Sequence, residues 1–202
     1  MIHCEKSDDG IWTVTIDRPE KANSLTADML LELCVIAEAA REARVLILTG
    51  VGKVFSAGAD LDAAKAGLAV SPLWERLSGA IARLDALTIC ALNGTVAGGA
   101  MGMFLACDLR ISVPSAKVFY PVMKLGFLPQ PSDPARLAAL VGPSRTKMIL
   151  MAGQKITVDE ALTWGLVNRV VDGDVLEVAK ELAADTLGAD RAHATAIKRL
   201  IG

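Results

Sequence analysis

From Ala86 to Cys107 the chain runs for 22 residues without a charged side chain. A stretch of that length is long enough to cross a bilayer, so it must either span a membrane or be buried inside a fold. The spacings Gly94-xxx-Gly98 and Gly98-xxx-Gly102 even match the close-packing face of a transmembrane helix pair. Three features oppose a span. Asn93-Gly94 is a turn signal in its middle, Gly98-Gly99 weakens any continuous helix, and the flanking residues, Asp85 and Asp108, are not basic anchors. The segment reads instead as a buried strand, a glycine loop and a buried helix, and no membrane span is expected.

The rest of the chain can supply the cover. Its 202 residues suit one α/β domain, and 52% hydrophobic with 22% charged is far too apolar for intrinsic disorder. Only 4% of the residues are aromatic, so the core must be packed with small and aliphatic side chains, which lets backbones approach closely. With 21 basic against 23 acidic residues the charge balance carries no footprint for nucleic acid. The four cysteines form no CxxC pair and sit in apolar settings, as small hydrophobes do. His3 and His193 are the only histidines, which argues against His-based catalysis or a zinc site. The N-terminus has no basic region followed by an apolar run, so the expectation is a reduced, cytoplasmic protein.

Along the chain, Ile2 to Asp17 reads as a hairpin turning at Asp9-Gly10, and 18–24 as a loop. Thr26 can cap a helix to about Arg41 that buries Leu30, Leu33, Cys34 and Ala37. Val45 to Gly50 is a continuous apolar run suited to a strand buried on both sides. Lys53 to Asp60 reads as a loop. Ser71-Pro72 starts a helix that continues to about Ala86. The uncharged segment then divides into a strand, Thr88 to Leu92, a loop, Asn93 to Gly98, and a helix, Gly99 to Ala106. Leu109 to Val113 and Lys117 to Tyr120 read as strands. Helices are expected over 133–140, 144–151 and 158–164, the last behind a Thr157-xx-Glu160 capping box, then a strand at 167–171 and one or two closing helices.

Two glycine turns, each following a buried strand, could carry chemistry. They are Phe55-Ser56-Ala57-Gly58-Ala59-Asp60-Leu61 and Asn93-Gly94-Thr95-Val96-Ala97-Gly98-Gly99-Ala100-Met101. Each delivers a helix N-terminus, where free N–H groups and the positive dipole end can face an oxygen. Two such ends aimed at one point would form an oxyanion hole. On spacing alone the plainer reading, tight turns and close helix packing, is the one favoured, because lone glycine turns are poor functional signals.

Together with Arg18-Pro19-Glu20-Lys21-Ala22-Asn23-Ser24-Leu25 upstream and Cys107-Asp108-Leu109-Arg110 downstream, these turns resemble the enoyl-CoA hydratase/isomerase (crotonase) superfamily. Gly142-Pro143-Ser144-Arg145 and Ala161-Leu162-Thr163-Trp164-Gly165-Leu166-Val167-Asn168 continue the match, which runs from Ile11 to about Leu200. The resemblance implies a spiral of ββα units with flanking helices, in one domain over 1–202 with a core to about 172 and closing helices from about 173. It implies an acyl-CoA thioester as partner, with coenzyme A entering as part of the substrate and no permanently bound cofactor. By carry-over, the N–H groups of Ala59 and Gly99 polarise the thioester carbonyl. Lys21, Ala22, Leu25, Ala57, Asp60 and Leu61 lie along the CoA. The family usually assembles as homotrimers or hexamers. Members usually continue with further helices past Leu200, so the C-terminal helical region here reads as shortened and the assembly surface as weakened.

The departures constrain the reaction. Hydratases of the family use two glutamates on water, and here those positions hold Gly102 and Val122, neither of which can move a proton. Ordinary hydration is therefore not expected. In the thioester-dehalogenating members a histidine acts at the position aligned with Glu75, which makes Glu75 an acid/base candidate; the favoured reading is that it serves the helix dipole in a first turn. Gln130 aligns with their aspartate nucleophile, and an amide can orient a water or carbonyl but not attack. Asp133 reads as a helix N-cap, Tyr120 as strand packing in preference to a hydrogen-bond donor near Val122, and Asp60 as a brace for the first glycine turn rather than a proton-transfer group. Two classes remain: an acyl-CoA enzyme of enolate or oxyanion type, or a non-catalytic acyl-CoA binder or degenerate subunit.

Overall fold

In the computed structural model, which describes residues 1–201, a strand–strand–helix step recurs four times along the chain. The first step is β1 (Ile2–Lys6), β2 (Ile11–Ile16) and α1 (Ala27–Ala39). The second is β3 (Val45–Gly50), β4 (Val54–Ser56), the short α2 (Leu61–Lys65) and α3 (Leu73–Ala82). The third is β5 (Leu87–Leu92), β6 (Thr95–Ala97) and α4 (Met101–Ala106). The fourth is β7 (Leu109–Ser112), β8 (Lys117–Phe119), α5 (Val122–Leu125) and α6 (Asp133–Leu150). Then follow β9 (Ile156–Thr157), α7 (Val158–Thr163), β10 (Arg169–Val170), α8 (Val175–Gly188) and α9 (Arg191–Ile201).

From the second step on, each step gives one strand to each of two sheets. The larger runs β1-β2-β3-β5-β7-β10 and the smaller β4-β6-β8-β9. Pairing between successive steps is parallel, β3 with β5 and β5 with β7, β4 with β6 and β6 with β8. That is a ββα spiral, the α/β architecture the resemblance implied.

The apolar run of β3 has the two buried faces its composition required. Leu46 and Leu48 join the main core with Leu30, Leu33, Ile81 and Met103, while Val45 and Ile47 face a second cluster with Ile89, Ala91 and Ile111. That second face is covered by α8, whose Ala179 and Ala183 are fully buried and let the helix lie close to the sheet. Turns of successive steps stack just as closely. A Cβ on Gly94 would lie 2.0 Å from the Lys53 carbonyl oxygen, so only glycine fits where the β5–β6 turn crosses the β3–β4 turn. Side-chain amides lock the stack. Asn23 Nδ2 donates to the Val51 and Val54 carbonyls (2.9 and 2.6 Å), and Asn93 Nδ2 to those of Gly52 and Val54 (2.9 and 3.1 Å).

Several boundaries differ from the sequence reading. The loops expected at 53–60 and 93–98 contain β4 and β6, three-residue strands whose partners lie on neighbouring turns of the spiral, so no local pattern marks them. The helix after Ser71-Pro72 ends at Ala82 rather than Ala86. The expected pair of helices beyond residue 133 runs as α6, broken at Gly142 (φ +81°) before Pro143. The strand at 167–171 shrinks to Arg169–Val170. Among the described residues no helix is long and apolar enough to cross a membrane.

Two of the family-like motifs meet each other away from the glycine turns. Arg110 is buried and donates from Nε to the Leu166 carbonyl (2.8 Å), and its backbone N–H donates to Asn168 Oδ1 (2.8 Å). Asp108 Oδ2 accepts from the Thr88 N–H and hydroxyl (2.8 and 2.9 Å). These motifs fasten the spiral.

Candidate active site

The two glycine turns touch backbone to backbone. Gly58 has φ +88°, and a Cβ there would lie 2.9 Å from the Ala97 carbonyl oxygen and 3.0 Å from the Gly99 nitrogen. Gly98, at φ +57°, faces back toward the Ala57 carbonyl, with its would-be Cβ at 3.3 Å. Absence of side chains at both positions is what allows this approach.

Each turn is aimed by its own supports. Leu25 and Ala59 form a parallel bridge in which Leu25 makes both hydrogen bonds, its N–H donating to Gly58 (2.8 Å) and its carbonyl accepting from Asp60 (2.9 Å). The Ala59 N–H therefore faces the opposite side. Gly99 lies in a 3-10 turn, Gly98–Ala100, that opens α4, where amides have no intrahelical acceptor. Trp74 seats that turn: a Cβ on Gly99 would lie 2.8 Å from its ring, and its indole N–H is fixed on the Leu68 carbonyl at 2.8 Å.

Ala59 and Gly99 share the wall of one cavity of about 150 Å³. Ala57, Leu61 and Trp74 also line it, and Tyr120, Val122 and Gln130 come from the fourth step. At its rim Leu61, Leu125 and Leu128 are strongly exposed.

Asp60 braces the first turn. Its Oδ1 accepts from the N–H groups of Asp62 and Ala63 (3.1 and 3.4 Å), capping α2, and its Oδ2 accepts from Arg18 Nη1 (2.8 Å). The hydrogen bond from Arg18 holds the carboxyl below the ordinary aspartate range. Lys21 is exposed on a 3-10 turn, and Ala22, in the left-handed region at φ +51°, accepts from the Ala57 N–H (3.0 Å). Both flank the first turn rather than the cavity wall. Leu25 is a correction: it is fully buried with its backbone spent on the bridge, so it holds the Ala59 strand instead of meeting a ligand.

The two residues that the sequence reading set against glutamates, Gly102 and Val122, bring no acid to the cavity. Val122 gives the cavity an apolar wall. Gly102, in α4, leaves a space filled by Asp133 and Ser78: a Cβ there would lie 3.3 Å from Asp133 Oδ1 and from Ser78 Cβ. Glu75 does not reach the wall. Its carboxylate accepts from the Ser132 N–H at 3.1 Å and from the Ser132 hydroxyl, capping α6 from a neighbouring helix. Gln130 does line the cavity, with its side-chain amide turned to the Ala69 carbonyl (3.4 Å).

Asp133 and Tyr120 are the residues the sequence reading misplaced. The N-cap position of α6 is Ser132; Asp133 lies inside the first turn, 1% exposed, with no capping bond. Its Oδ2 accepts the Tyr120 hydroxyl at 3.0 Å, and that hydroxyl accepts the Gln130 N–H at 3.3 Å. Burial raises the Asp133 carboxyl to about 6 against partial relief from Tyr120 and Arg136, and burial beside this carboxyl pushes the Tyr120 hydroxyl far up. An Asp-Pro pair at a helix start reads as a cap in any sequence, so nothing local distinguished it.

A family model described as enoyl-CoA hydratase/isomerase matches residues 6–201. The chain is 37% identical over 187 residues to a short-chain-enoyl-CoA hydratase of Clostridium acetobutylicum, covering 86% of this chain and 70% of that protein. It is 33% identical over 193 residues to a 4-chlorobenzoyl coenzyme A dehalogenase of Arthrobacter sp., covering 87% and 70%. Among solved structures, an enoyl-CoA hydratase from Bacillus anthracis superposes with a TM-score of 0.91 at 30% identity, over 99% of this chain and 81% of that one.

Proposed function

The chain belongs to the enoyl-CoA hydratase/isomerase (crotonase) family, whose members process acyl-CoA thioesters, and from that premise we propose that it stabilises a thioester enolate or oxyanion through the backbone N–H groups of Ala59 and Gly99 without hydrating its substrate. One observation carries the reading. Both residues stand on the wall of a single cavity, in turns held against each other at Gly58 and Gly98. Fixed amides aimed at a carbonyl oxygen stabilise negative charge as it develops and need no reorganisation when it does.

Coenzyme A belongs to the substrate in this reading, running along the turn of Lys21 and Ala22 toward Ala57 and Leu61. A hydratase needs carboxylates at both positions held here by Gly102 and Val122, so the reading is of thioester hydrolysis through an oxyanion, or of decarboxylation or another enolate-type step. The family's usual homotrimer or hexamer is part of the proposal, and light scattering of the purified protein tests it. A mass-spectrometric screen of acyl-CoA thioesters, with infrared spectra of a bound carbon-13-labelled thioester carbonyl, tests the chemistry. A carbonyl stretch moved to lower frequency on binding supports the two amides; an unmoved stretch overturns them. The apolar Val122 wall favours one alternative, an acyl-CoA binding module, which binding without any turnover across the screen would support.

A further inference from the structure

The vacancy at Gly102 and the buried acid at Asp133 are one feature. Any side chain at residue 102 would enter the space of the Asp133 carboxylate, whose oxygens lie 3.3 and 3.6 Å from a would-be Cβ. Losing the acid on α4 thus coincides with placing an acid on α6 against the same spot. That carboxylate is not a structural cap. It spends one oxygen on the Tyr120 hydroxyl, and Oδ1 is buried without a hydrogen-bond partner. Tyr120 in turn stands on the cavity wall.

We propose that the Tyr120 hydroxyl is the proton-transfer group of this cavity and that Asp133 is the positioning residue that exchanges a proton with it. The inference rests on the enolate reading above. Its substrates are acyl-CoA thioesters bearing a hydrogen on the carbon next to the carbonyl. The proton leaves that carbon for a free lone pair of the tyrosine oxygen while the tyrosine's own proton crosses to Asp133 Oδ2. The C–H electron pair becomes the enolate, its charge on the oxygen facing Ala59 and Gly99. Tyrosine is neutral before and after, and aspartate ends protonated; the reverse step returns the proton. No oxidant, metal or second reactant enters.

The surroundings suit the exchange. The hydroxyl's elevated pKa keeps it from ionising by itself, so transfer must be concerted with the aspartate. The carboxyl, at about 6, is ionised yet basic near neutral pH. The groups facing it are Tyr120 after β8, Glu75 and Ser78 of α3, Gly102 of α4, and Arg136 of its own helix, with Nη1 at 4.0 Å. Glu75 is itself committed to Ser132.

The test is exchange of the α-hydrogens of butyryl-CoA in deuterium oxide, followed by proton NMR, with the infrared carbonyl shift as a separate readout. Wild-type exchange should rise as pH increases through about 6 and then level off. Tyr120→Phe and Asp133→Asn should each slow it by at least ~100-fold, and the double variant little further, since the pair acts as a unit. Asp133→Asn should also lose the limb near pH 6 while keeping the carbonyl shift. Exchange that is absent, or unchanged in both variants, with a shifted carbonyl overturns the dyad and leaves the amides standing. An unshifted carbonyl with Asp133-dependent exchange overturns the amides and leaves the dyad. Should a variant fold poorly, the wild-type profile decides alone: a flat profile through pH 6 overturns the proposal.

Discussion

Replacing Gly58 with alanine should separate the two turns that form the cavity, and a second glycine measures how much of the damage is contact. Gly58 and Gly67 have similar positive φ angles, +88° and +103°. Alanine at either position pays a backbone penalty of about 1–2 kcal/mol. At Gly67 nothing lies within 4 Å of the new methyl, so the cost ends there. At Gly58 the methyl meets the Ala97 carbonyl oxygen at 2.9 Å and the Gly99 nitrogen at 3.0 Å. Those are backbone atoms with no flexible end to swing away, and overpacking of this kind adds about 1–3 kcal/mol. The gain from a less flexible unfolded chain is the same in both variants and cancels. At about 2–4 °C per kcal/mol for a domain this size, Gly58→Ala should lower Tm by about 2–12 °C more than Gly67→Ala does. Scanning calorimetry reads both. Isothermal titration with butyryl-CoA reads the consequence, weakened binding in Gly58→Ala alone. Equal Tm losses with equal affinities would refute the contact between the turns and the argument built on it.

Four further perturbations have signs fixed by the structure. Gly94→Ala should fail to fold, read as loss of cooperative unfolding, because its methyl would sit 2.0 Å from the Lys53 carbonyl oxygen. Glu75→Gln should lower stability by about 0.5–2 kcal/mol in urea titrations, the usual worth of a helix cap, and, by removing a negative charge that helps raise the Asp133 carboxyl, should move the limb of α-hydrogen exchange to lower pH without abolishing it. Asp60, its pKa depressed by Arg18, contributes stability above its unfolded value of 3.8 and loses it as pH falls through the lower folded value. Asp60→Asn should therefore flatten the acid limb of the stability curve. Asp133 has the opposite sign: raised from 3.8 to about 6, it costs nothing below its unfolded pKa and about 3 kcal/mol once pH exceeds the folded one. Asp133→Asn should gain stability over wild type between pH 4 and pH 8, measured by urea titration at each pH.

Legibility in the sequence followed the range of each interaction. The cap at Thr26 and the buried face Leu30, Leu33, Cys34 and Ala37 are written within one helix and appear where expected, with Thr26 Oγ1 accepting from the Met29 N–H at 3.3 Å. The run at β3 announced two-sided burial through its own composition. β4 and β6 did not, because three residues carry no period and their partners sit about forty positions away, on another turn of the spiral. Motifs mark positions more faithfully than roles: Cys107-Asp108-Leu109-Arg110 is as distinctive as the glycine turns, yet its arginine fastens Leu166 and never approaches the cavity.

Asp133 shows why a site can be hidden even when every one of its residues has been inspected. Read singly, Gly102 is a lost acid, Asp133 a cap and Tyr120 a strand residue. They combine only because α4 packs against α6 and the residue after β8 reaches Asp133 with its hydroxyl, a contact between α4 and α6 across some thirty residues that no local pattern encodes. The same packing explains the energetics. A buried carboxylate without a full set of partners destabilises the fold at neutral pH, and nothing in the architecture of the spiral requires one at that place. A purely structural helix start would put serine or asparagine at the cap and leave the following position apolar, gaining stability. Keeping a strained acid against a tyrosine on a cavity wall, with a glycine opposite to make room, is the pattern of a group retained for what it does with a proton. The stability gained by Asp133→Asn and the exchange activity lost by it are thus two readings of one free energy, and they should appear in the same variant.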